Sequence, residues 1–287
     1  MNKGMKTAAI IASLLIVGGI FLSILCGGFT KGGMTGIVNQ WSAANGYYED
    51  PMKKSLTSDE AVTTIDISAV VSDIKLITTD VETVRVTYYD TYDNQFKASI
   101  SNGKITVAEQ NKWTFFNLQW IKRLMDHDKD RDTILIELPK SAVLSQCELN
   151  TVSGNIQIAT ISTEDLTAKT VSGSVKLNDT TAKNSVFKTT SGDINFRNCS
   201  INSIECDSVS GDFQLSSPQF DTMKLKTISG DMELQDLAGT EDDYAVSFKS
   251  TSGKLRINDN RSYGTTQGEK SITAHTVSGD MTVNTIK

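Results

Sequence analysis

Three aspartates at a regular spacing could together hold a cation. Asp193, Asp212 and Asp231 are separated by nineteen residues, and each directly follows a glycine. Carboxylates on stacked strands would lie about 4.8 Å apart, and ionised like charges at that distance need water or a bridging cation. Two interpretations stay open: a cation or ligand ladder, or turn carboxylates that face water. We favour the second, because Asp is a common turn residue.

A serine stands before each of these glycines and raises the question of nucleophilic chemistry. A nucleophilic serine needs a base, and that base is in turn oriented by a third group. The chain has two histidines, His127 and His275, and His275 lies three residues before Ser278 on one predicted strand. A single strand cannot supply the third group. We therefore predict hydrogen-bonded corner serines, no catalytic residue, no enzyme activity and no cofactor.

Four acidic residues have the spacing of a calcium-binding loop. Asp126, Asp128, Asp130 and Glu137 stand at its first, third, fifth and twelfth positions. Arg131 occupies the sixth position, where the tight turn of such a loop needs glycine, and a strand is predicted to follow where a helix is expected. Both departures argue against calcium here, and no metal site is predicted.

The four cysteines do not form a metal-binding motif. Cys26, Cys147, Cys199 and Cys206 include no CxxC pair of the kind that binds zinc. Cys147 and Cys206 occupy positions predicted to face the core, where a free cysteine acts as a small apolar residue. A disulfide between Cys199 and Cys206 is left open by the sequence.

The aspartates and serines belong to an internal repeat. Its units include TVSGNIQI, TVSGSVKL and TTSGDINF, and their glycines are first nineteen, then twenty-three and twenty-six residues apart. Glycine suits such a corner because it reaches positive φ without steric cost. The seven corner glycines are Gly154, Gly173, Gly192, Gly211, Gly230, Gly253 and Gly279.

Apolar and polar residues alternate on both sides of each corner. The second and fourth residues after the glycine are apolar and the third is polar, as in Ile156, Gln157 and Ile158. The fifth residue before the glycine is apolar and the fourth is polar, as in Leu149 and Asn150. A period of two predicts strands with one buried face. Each unit therefore reads strand, Ser-Gly corner, strand.

One such unit cannot bury its apolar face alone, so the units must stack. The predicted fold is all-β: a single-stranded parallel β-solenoid, or β-helix, of coils of about nineteen residues over 62–287, with regular repeats over 147–287. The longer spacings predict loops at 237–245 and 258–270. Residues 70–76 resemble a repeat that lacks its glycine, and residues 96–107 fit either a repeat or an Asn-Gly hairpin.

The N-terminal region has the pattern of a membrane anchor. Residues 8–26 carry no charge and as a helix would span about 28 Å, close to the thickness of a bilayer core. The preceding lysines predict that residues 1–7 are cytoplasmic and the rest extracytoplasmic. The run is longer than a cleaved signal peptide needs, which favours an uncleaved single-pass anchor in the cell membrane. Residues 27–60 are predicted to be a linker.

An amphipathic segment at 112–125 repeats Trp113, Phe116, Trp120 and Leu124 at helical spacing. Such a helix could lie on the membrane surface. We prefer a short helix that caps the open end of the solenoid, where strand edges would otherwise be unpaired.

The composition excludes one class of partner. The formal net charge is −6, whereas nucleic-acid binding requires a basic face. No nucleic-acid partner is predicted.

The repeat resembles a bacterial adhesin family of unknown function. Its hallmark, a hydrophobic-Ser-Gly-Asp-hydrophobic string after an apolar strand that ends in proline, matches ILIELP at 134–139 and the following TVSGNIQI. The resemblance covers about residues 62–287 and implies a surface β-solenoid without catalytic residues. LiaG-like members carry an N-terminal membrane anchor and are associated with envelope stress. Lys254 in place of Asp and the missing glycine near Ser72 depart from the pattern.

The sequence leaves three functions open. The first is a non-catalytic binding or scaffold module, in adhesion or envelope stress, that presents polar strand faces to a cell-wall polymer or an envelope protein. The second is a carbohydrate-active β-helix enzyme, which would need acids clustered in a cleft, whereas the outward columns carry scattered charge. The third is an accessory subunit of a membrane signalling system.

Overall fold

The computed structural model describes residues 52–90, 96–109, 132–258, 260–265 and 267–286. In these ranges the fold is all-β, with one short 3-10 helix at Glu241–Asp243. No helix in the described part of the chain is long and apolar enough to span a membrane. The predicted cytoplasmic segment (1–7), anchor (8–26) and capping helix (112–125) lie outside the described residues.

The described residues form twenty-two strands in two sheets, of twelve and ten strands. In chain order the strands are β1 (Met52–Ser58), β2 (Thr64–Ser68), β3 (Asp73–Thr79), β4 (Val84–Asp90), β5 (Phe96–Ser101), β6 (Lys104–Glu109), β7 (Thr133–Pro139), β8 (Leu144–Asn150), β9 (Ile156–Ala159), β10 (Ser162–Lys169), β11 (Val175–Asn178), β12 (Thr181–Lys188), β13 (Ile194–Arg197), β14 (Ser200–Asp207), β15 (Phe213–Ser216), β16 (Thr222–Lys226), β17 (Met232–Ala238), β18 (Tyr244–Lys249), β19 (Leu255–Ile257), β20 (Asn260–Ser262), β21 (Lys270–His275) and β22 (Met281–Ile286).

The regular coils confirm the predicted unit of strand, corner, strand. Strands β8, β10, β12, β14 and β16 follow one another in the ten-stranded sheet, and β9, β11, β13, β15 and β17 do so in the twelve-stranded sheet. All neighbours in these two series are parallel, and their pairings advance by nineteen residues, as in Val175 with Ile194. The Ser-Gly corner carries the chain from the long strand of a coil to the short one.

The predicted inward columns form the core between the two sheets. The second and fourth residues after each glycine are all at most 4% exposed. Phe187 and Phe196 meet across the core, edge to face, with ring centroids 4.8 Å apart. One member of the column before the glycine is only partly buried, namely Phe248 on the edge strand β18.

A second corner closes each regular coil with a residue in the left-handed conformation. This corner lies five or six residues after the glycine, and φ is between 47° and 58°. Asn and Asp tolerate this region better than other non-glycine residues, whereas β-branched Thr160 pays a steric cost. This second corner was not predicted from the sequence. Its members are Thr160, Asp179, Asn198, Ser217, Asp236 and Asn258.

The segment at 70–76 is a true coil of the solenoid. Strands β2 and β3 form it, and they pair in parallel with β8 and β9. Because Ile74 pairs with Ile156, Ser72 occupies the position of the corner glycine. The coil lies between the first regular coil on one side and β6 with β7 on the other.

The segment at 96–107 combines both alternatives that the sequence left open. Strands β5 and β6 are an antiparallel hairpin whose turn, Asn102-Gly103, has positive φ at both residues. Strand β6 also continues the parallel sheet, since Ile105 pairs with Ile65 and Val107 with Ile67.

The prediction of a uniformly parallel solenoid is wrong at both ends of the molecule. Strand β4 is antiparallel to β1 and β7, β5 is antiparallel to β6, and β20 is antiparallel to β19. These antiparallel strands occur where no further coil continues the stack. The linker boundary also needs correction, because β1 occupies Met52–Ser58 within the predicted linker 27–60.

The last two coils stand in the reverse of their sequence order. Strand β22, which follows Gly279, lies between β17 and β19, so the Gly253 coil is outermost. In the other sheet β21 lies between β16 and β18. The two longer repeats give the chain enough length to pass over one coil position and return to fill it.

The predicted loops at 237–245 and 258–270 include short strand segments and buried residues. Leu237 and Tyr244 lie in β17 and β18 and are fully buried. Residues 260–262 form β20, and Thr265 hydrogen-bonds to both Tyr244 and Val246 of the edge strand β18. The second insertion therefore covers a sheet edge that would otherwise be open.

Candidate functional site

The Ser-Gly corners form a continuous file along the solenoid. Parallel bridges join Ser191 to Ser210, Ser210 to Ser229, Ser229 to Ser278 and Ser278 to Ser252. The file contains the predicted cation ladder, the predicted corner glycines and the serines considered as nucleophiles. It is therefore the candidate site on which the sequence predictions converge.

The corner glycines are required because successive coils approach closely. A Cβ built on Gly173, Gly192 or Gly211 would stand 2.0–2.1 Å from the carbonyl oxygen of the preceding corner glycine. The sequence predicted glycine at these corners because of positive φ. Among the seven corner glycines φ is positive at Gly230 (156°) and Gly279 (153°) alone, and there the backbone is nearly extended. The glycines are thus explained by contact between coils and not by the turn itself.

The residues after the glycines form a ladder of side-chain oxygens. Oδ1 of Asp193 accepts a hydrogen bond from the backbone N–H of Asp212, at 3.0 Å. Asp212 accepts in the same way from Asp231, and Asp231 from Asp280, each at 2.8 Å. Earlier coils use Asp73, Asn155 and Ser174 for the same purpose. Each side chain therefore satisfies a backbone donor of the next coil.

Lys254 departs from the Asp pattern because it ends this ladder. Its backbone N–H donates to Oδ1 of Asp280 at 2.8 Å. The Gly253 coil is outermost, so no further coil presents an N–H to the Lys254 side chain. A residue without an acceptor oxygen is tolerated at that position for this reason.

The ladder gives the three predicted cation ligands a structural role. Asp193, Asp212 and Asp231 are exposed, and one oxygen of each is engaged with the backbone. Within the described ranges no group of three His, Cys, Asp or Glu side chains has the geometry to hold a metal ion. Binding of a cation by the remaining oxygens stays a prediction.

A column of hydroxyls, buried in six coils and half-buried at Ser250, supports the same corner and was missed in the sequence. Thr170 donates to the carbonyl of Gly154 at 2.9 Å, and Thr189 donates to that of Gly173 at 3.1 Å. The signal was visible, because a Thr or Ser stands three residues before every corner glycine. The members of the column are Thr151, Thr170, Thr189, Ser208, Thr227, Ser250 and Thr276.

The corner serines have no catalytic surroundings. Their backbone amides carry the hydrogen bonds of the file, as in Ser172 to the carbonyl of Val152 at 2.8 Å. Six of the seven are exposed to solvent. His275 lies in β21, in register with Lys226 and Lys249, so its neighbours in the sheet are cations and not an orienting carboxylate.

Of the four acidic residues with calcium-loop spacing, Glu137 alone lies in the described part of the chain. Asp126, Asp128 and Asp130 lie outside the described residues. Glu137 lies in β7 and forms an ion pair with Arg85 at 3.7 Å.

The three described cysteines are core residues. Cys147, Cys199 and Cys206 are buried and free, so no disulfide joins Cys199 to Cys206. Burial raises the pKa of the Cys147, Cys199 and Cys206 thiols above the usual range. Thiols with raised pKa stay protonated at neutral pH and are weak nucleophiles and metal ligands.

Fold and corner together define the class of protein: a two-sheet β-solenoid whose repeated corners are fixed by close backbone contact. The chain belongs to the Toastrack DUF4097 family, whose model matches residues 62–287. No functionally curated protein matches the sequence.

Three solved structures are similar over most of the chain. A putative cell adhesion protein from Clostridium sporogenes is 10% identical, with TM-score 0.44, over 83% of this chain and 100% of that one. A putative adhesin from Bacteroides fragilis is 12% identical, with TM-score 0.43, over 84% and 100%. A putative lipid binding protein from Parabacteroides distasonis is 13% identical, with TM-score 0.40, over 83% and 97%. Because all three TM-scores are below 0.5, the assignment rests on the family match.

Proposed function

We propose that the chain is a membrane-anchored, extracytoplasmic scaffold that binds a cell-wall polysaccharide without chemical turnover. In this proposal residues 8–26 hold the protein in the cell membrane and the solenoid presents its outer surface to the wall. The LiaG-like role in envelope stress would then be exerted through binding and not through catalysis.

The observation that carries this proposal is the outer surface of the short strands. Amide side chains project there from successive coils, and the strands that bear them pair in register. We call this surface the amide face, and its members are Gln157, Asn178, Asn195, Gln214 and Gln235.

Amides both donate and accept hydrogen bonds, which matches the hydroxyl and acetamido groups of wall sugars. Four of the five are exposed, and only Asn195 is half-buried. Adjacent coils lie about 4.8 Å apart along the stack. Asn195 and Gln214 are direct partners, whereas Lys176 stands between Gln157 and Asn195. An extended polymer could still contact several coils at once. Repeated weak contacts of this kind add up to useful affinity.

The binding test compares two sets of substitutions in the full-length chain, purified in detergent and sedimented with purified wall sacculi. The triple variant Gln157→Ala, Asn195→Ala, Gln214→Ala should lose most of the sedimented fraction. A matched triple variant on the ten-stranded sheet, Gln146→Ala, Asn184→Ala, Thr222→Ala, should keep it. Equal retention by both, or no retention of the unmodified chain, would contradict the proposal.

Two further measurements test the other parts of the proposal. Protease added to intact cells should digest the solenoid, and alkaline extraction should leave the chain in the membrane fraction. Sacculi incubated with the protein should release no soluble sugar, since release would favour the carbohydrate-active enzyme. Capture of one envelope protein by the full-length chain, without retention on sacculi, would favour the signalling subunit.

A further inference from the structure

An apolar ridge runs along the outside of the Ser-Gly corner. The residue two positions before each corner glycine is β-branched in every regular coil, and among the described coils it is exposed, or half-buried at Thr190, Val209 and Ile228. Val152 and Val171 are each 44% exposed and Val277 is 50% exposed. We call this set, without Thr251 of the outermost coil, the valine ridge, and its members are Val152, Val171, Thr190, Val209, Ile228 and Val277.

The ridge is straight because its backbone is hydrogen-bonded from coil to coil. The N–H of Val171 donates to the carbonyl of Val152 at 3.1 Å, and that of Thr190 donates to Val171 at 3.2 Å. Val277 continues the series after Ile228, at 3.2 Å, in agreement with the reversed order of the last coils. Five steps of about 4.8 Å make a ridge about 24 Å long.

Charges of opposite sign flank the ridge. On the long-strand side, two residues before the ridge, the column is Asn150, Lys169, Lys188, Asp207, Lys226, His275 and Lys249. On the short-strand side, three residues after the ridge, it is Asn155, Ser174, Asp193, Asp212, Asp231, Asp280 and Lys254. The first column is mainly basic and the second mainly acidic, and within one chain Asp207 is paired with Lys188 at 2.9 Å and with Lys226 at 3.9 Å.

From this arrangement we infer that the valine ridge is a self-association surface that takes a second copy of the same chain in parallel orientation. A two-fold axis along the ridge places each ridge residue opposite itself and each basic column opposite the partner's acidic column. Lys188 then faces Asp193 of the second copy, and Lys226 faces Asp231. A two-fold axis across the ridge would oppose like columns, which is unfavourable.

The size of the surface suits a reversible dimer. A ridge about 24 Å long with its two flanking columns would bury about 600 Å² per copy, near the lower end of specific interfaces. The parallel arrangement also leaves both N-termini at the same end of the pair. Two membrane anchors could then insert into one bilayer, where the high local concentration would strengthen a weak contact.

Cross-linking of the full-length chain tests both the surface and its direction. The experiment uses a Cys26→Ser background. The described native cysteines are buried and free, so an added surface cysteine is the main accessible thiol in the described part of the chain. Val152→Cys and Val277→Cys are each oxidised in membranes and analysed on non-reducing gels. A parallel dimer should shift each single variant to the mass of a dimer, whereas Val143→Cys, 65% exposed and outside the ridge, should remain monomeric.

Two outcomes would overturn the inference. One is that Val152→Cys and Val277→Cys form no more dimer than Val143→Cys. The other is that they cross-link to each other in a mixture but not to themselves, which would show antiparallel contact. Val171→Glu serves as a second variant, because an exposed position tolerates charge in the monomer. It should shift the detergent-solubilised chain from dimer to monomer with an unchanged circular dichroism spectrum, whereas Val143→Glu should not.

Discussion

The middle coils and the two ends of the solenoid are built from the same unit but follow different rules of order. Between β8 and β17 each coil stacks on the one that precedes it in the sequence. At the N-terminal end the β2–β3 coil lies between later segments, and at the C-terminal end the last two coils are reversed. Nearly identical coils can pair in any order, so connection length and end residues decide which order is adopted.

The ends also differ from the middle in how they close the sheets. A middle coil has a neighbour on each side for all its backbone groups, whereas an end coil would present an open edge. The C-terminal end is closed by the β19–β20 hairpin and by Thr265. The N-terminal end also has antiparallel strands, β4 beside β7 and β5 beside β6, and the Glu109 carboxylate accepts from the backbone N–H of Val70 at 2.6 Å. Irregular sequence in a repeat protein therefore marks the places where stacking stops.

The largest expected effect is from a methyl group added to a middle corner. In Gly192→Ala the Cβ would stand 2.1 Å from the carbonyl oxygen of Gly173, and backbone coils on both sides prevent relaxation. We expect a loss of about 3 kcal/mol or more in the free energy of unfolding. The measurement is urea denaturation, with Ser191→Ala as the matched control.

The same substitution at the outermost corner sharpens the comparison. In Gly253→Ala the Cβ would meet the carbonyl of Gly279 at 1.9 Å, but this coil has a neighbour on one side only. We expect a smaller loss, confined in hydrogen exchange to β18, β19 and β20. Equal global destabilisation by Gly192→Ala and Gly253→Ala would contradict the difference between middle and end.

A smaller effect is expected from opening the covered edge. Thr265→Val keeps the shape of the side chain but removes the hydroxyl that accepts from the Val246 N–H and donates to the Tyr244 carbonyl. We expect a loss of about 2 kcal/mol, because two backbone groups lose their partner. Faster amide exchange at Val246 would locate the change, and Thr222→Val on an exposed strand position is the control.

The oxygen ladder predicts a difference between two substitutions at one position. Asp212→Ala removes the acceptor for the Asp231 N–H and should cost about 1 kcal/mol, whereas Asp212→Asn keeps an acceptor oxygen and should be nearly neutral. Lys254→Ala, at the end of the ladder, should also be neutral. The midpoints of thermal unfolding test this, with and without calcium. A calcium-dependent rise that Asp212→Asn abolishes would favour the cation ladder instead.

The smallest effect concerns the left-handed corner. Thr160 has φ of 57°, where a β-branched side chain is strained, and Asn198 has the same conformation at 53° with a better-suited residue. Thr160→Asn should therefore stabilise the protein by about 0.5–1 kcal/mol, and Asn198→Thr should destabilise it by a similar amount. Effects of the same sign in both variants would contradict this explanation.

The strand pattern could be predicted from the sequence because burial imposes it directly. A column such as Ile156, Val175 and Ile194 stays apolar in every coil, since each member enters the same core. The Ser-Gly corner could also be predicted, because it recurs in every regular coil. Its physical basis could not be predicted, because the carbonyl oxygen of Gly154, which would lie 2.0 Å from a Cβ added to Gly173, belongs to a different coil.

The order of the coils could not be predicted from the columns. Met281 pairs with both Met232 and Leu255, and the columns alone allow either coil to be outermost. Two signals were present in the sequence: the longer spacings and Lys254 in the Asp column. In the sequence Lys254 is a departure from the Asp pattern, whereas in the structure it marks the outermost coil.

The order of the last coils is tested most directly by two pairs of cysteines in a Cys26→Ser background. Lys226 and His275 are partners on adjacent strands, whereas β21 separates Lys226 from Lys249. Adjacent partners lie about 4.8 Å apart and alternate strands about 9.6 Å apart, and a disulfide cannot bridge Cα atoms more than about 7 Å apart. Peptide mass spectrometry after oxidation should find an intramolecular disulfide in Lys226→Cys/His275→Cys and none in Lys226→Cys/Lys249→Cys. A disulfide in the second variant and none in the first would show stacking in simple sequence order and contradict the account.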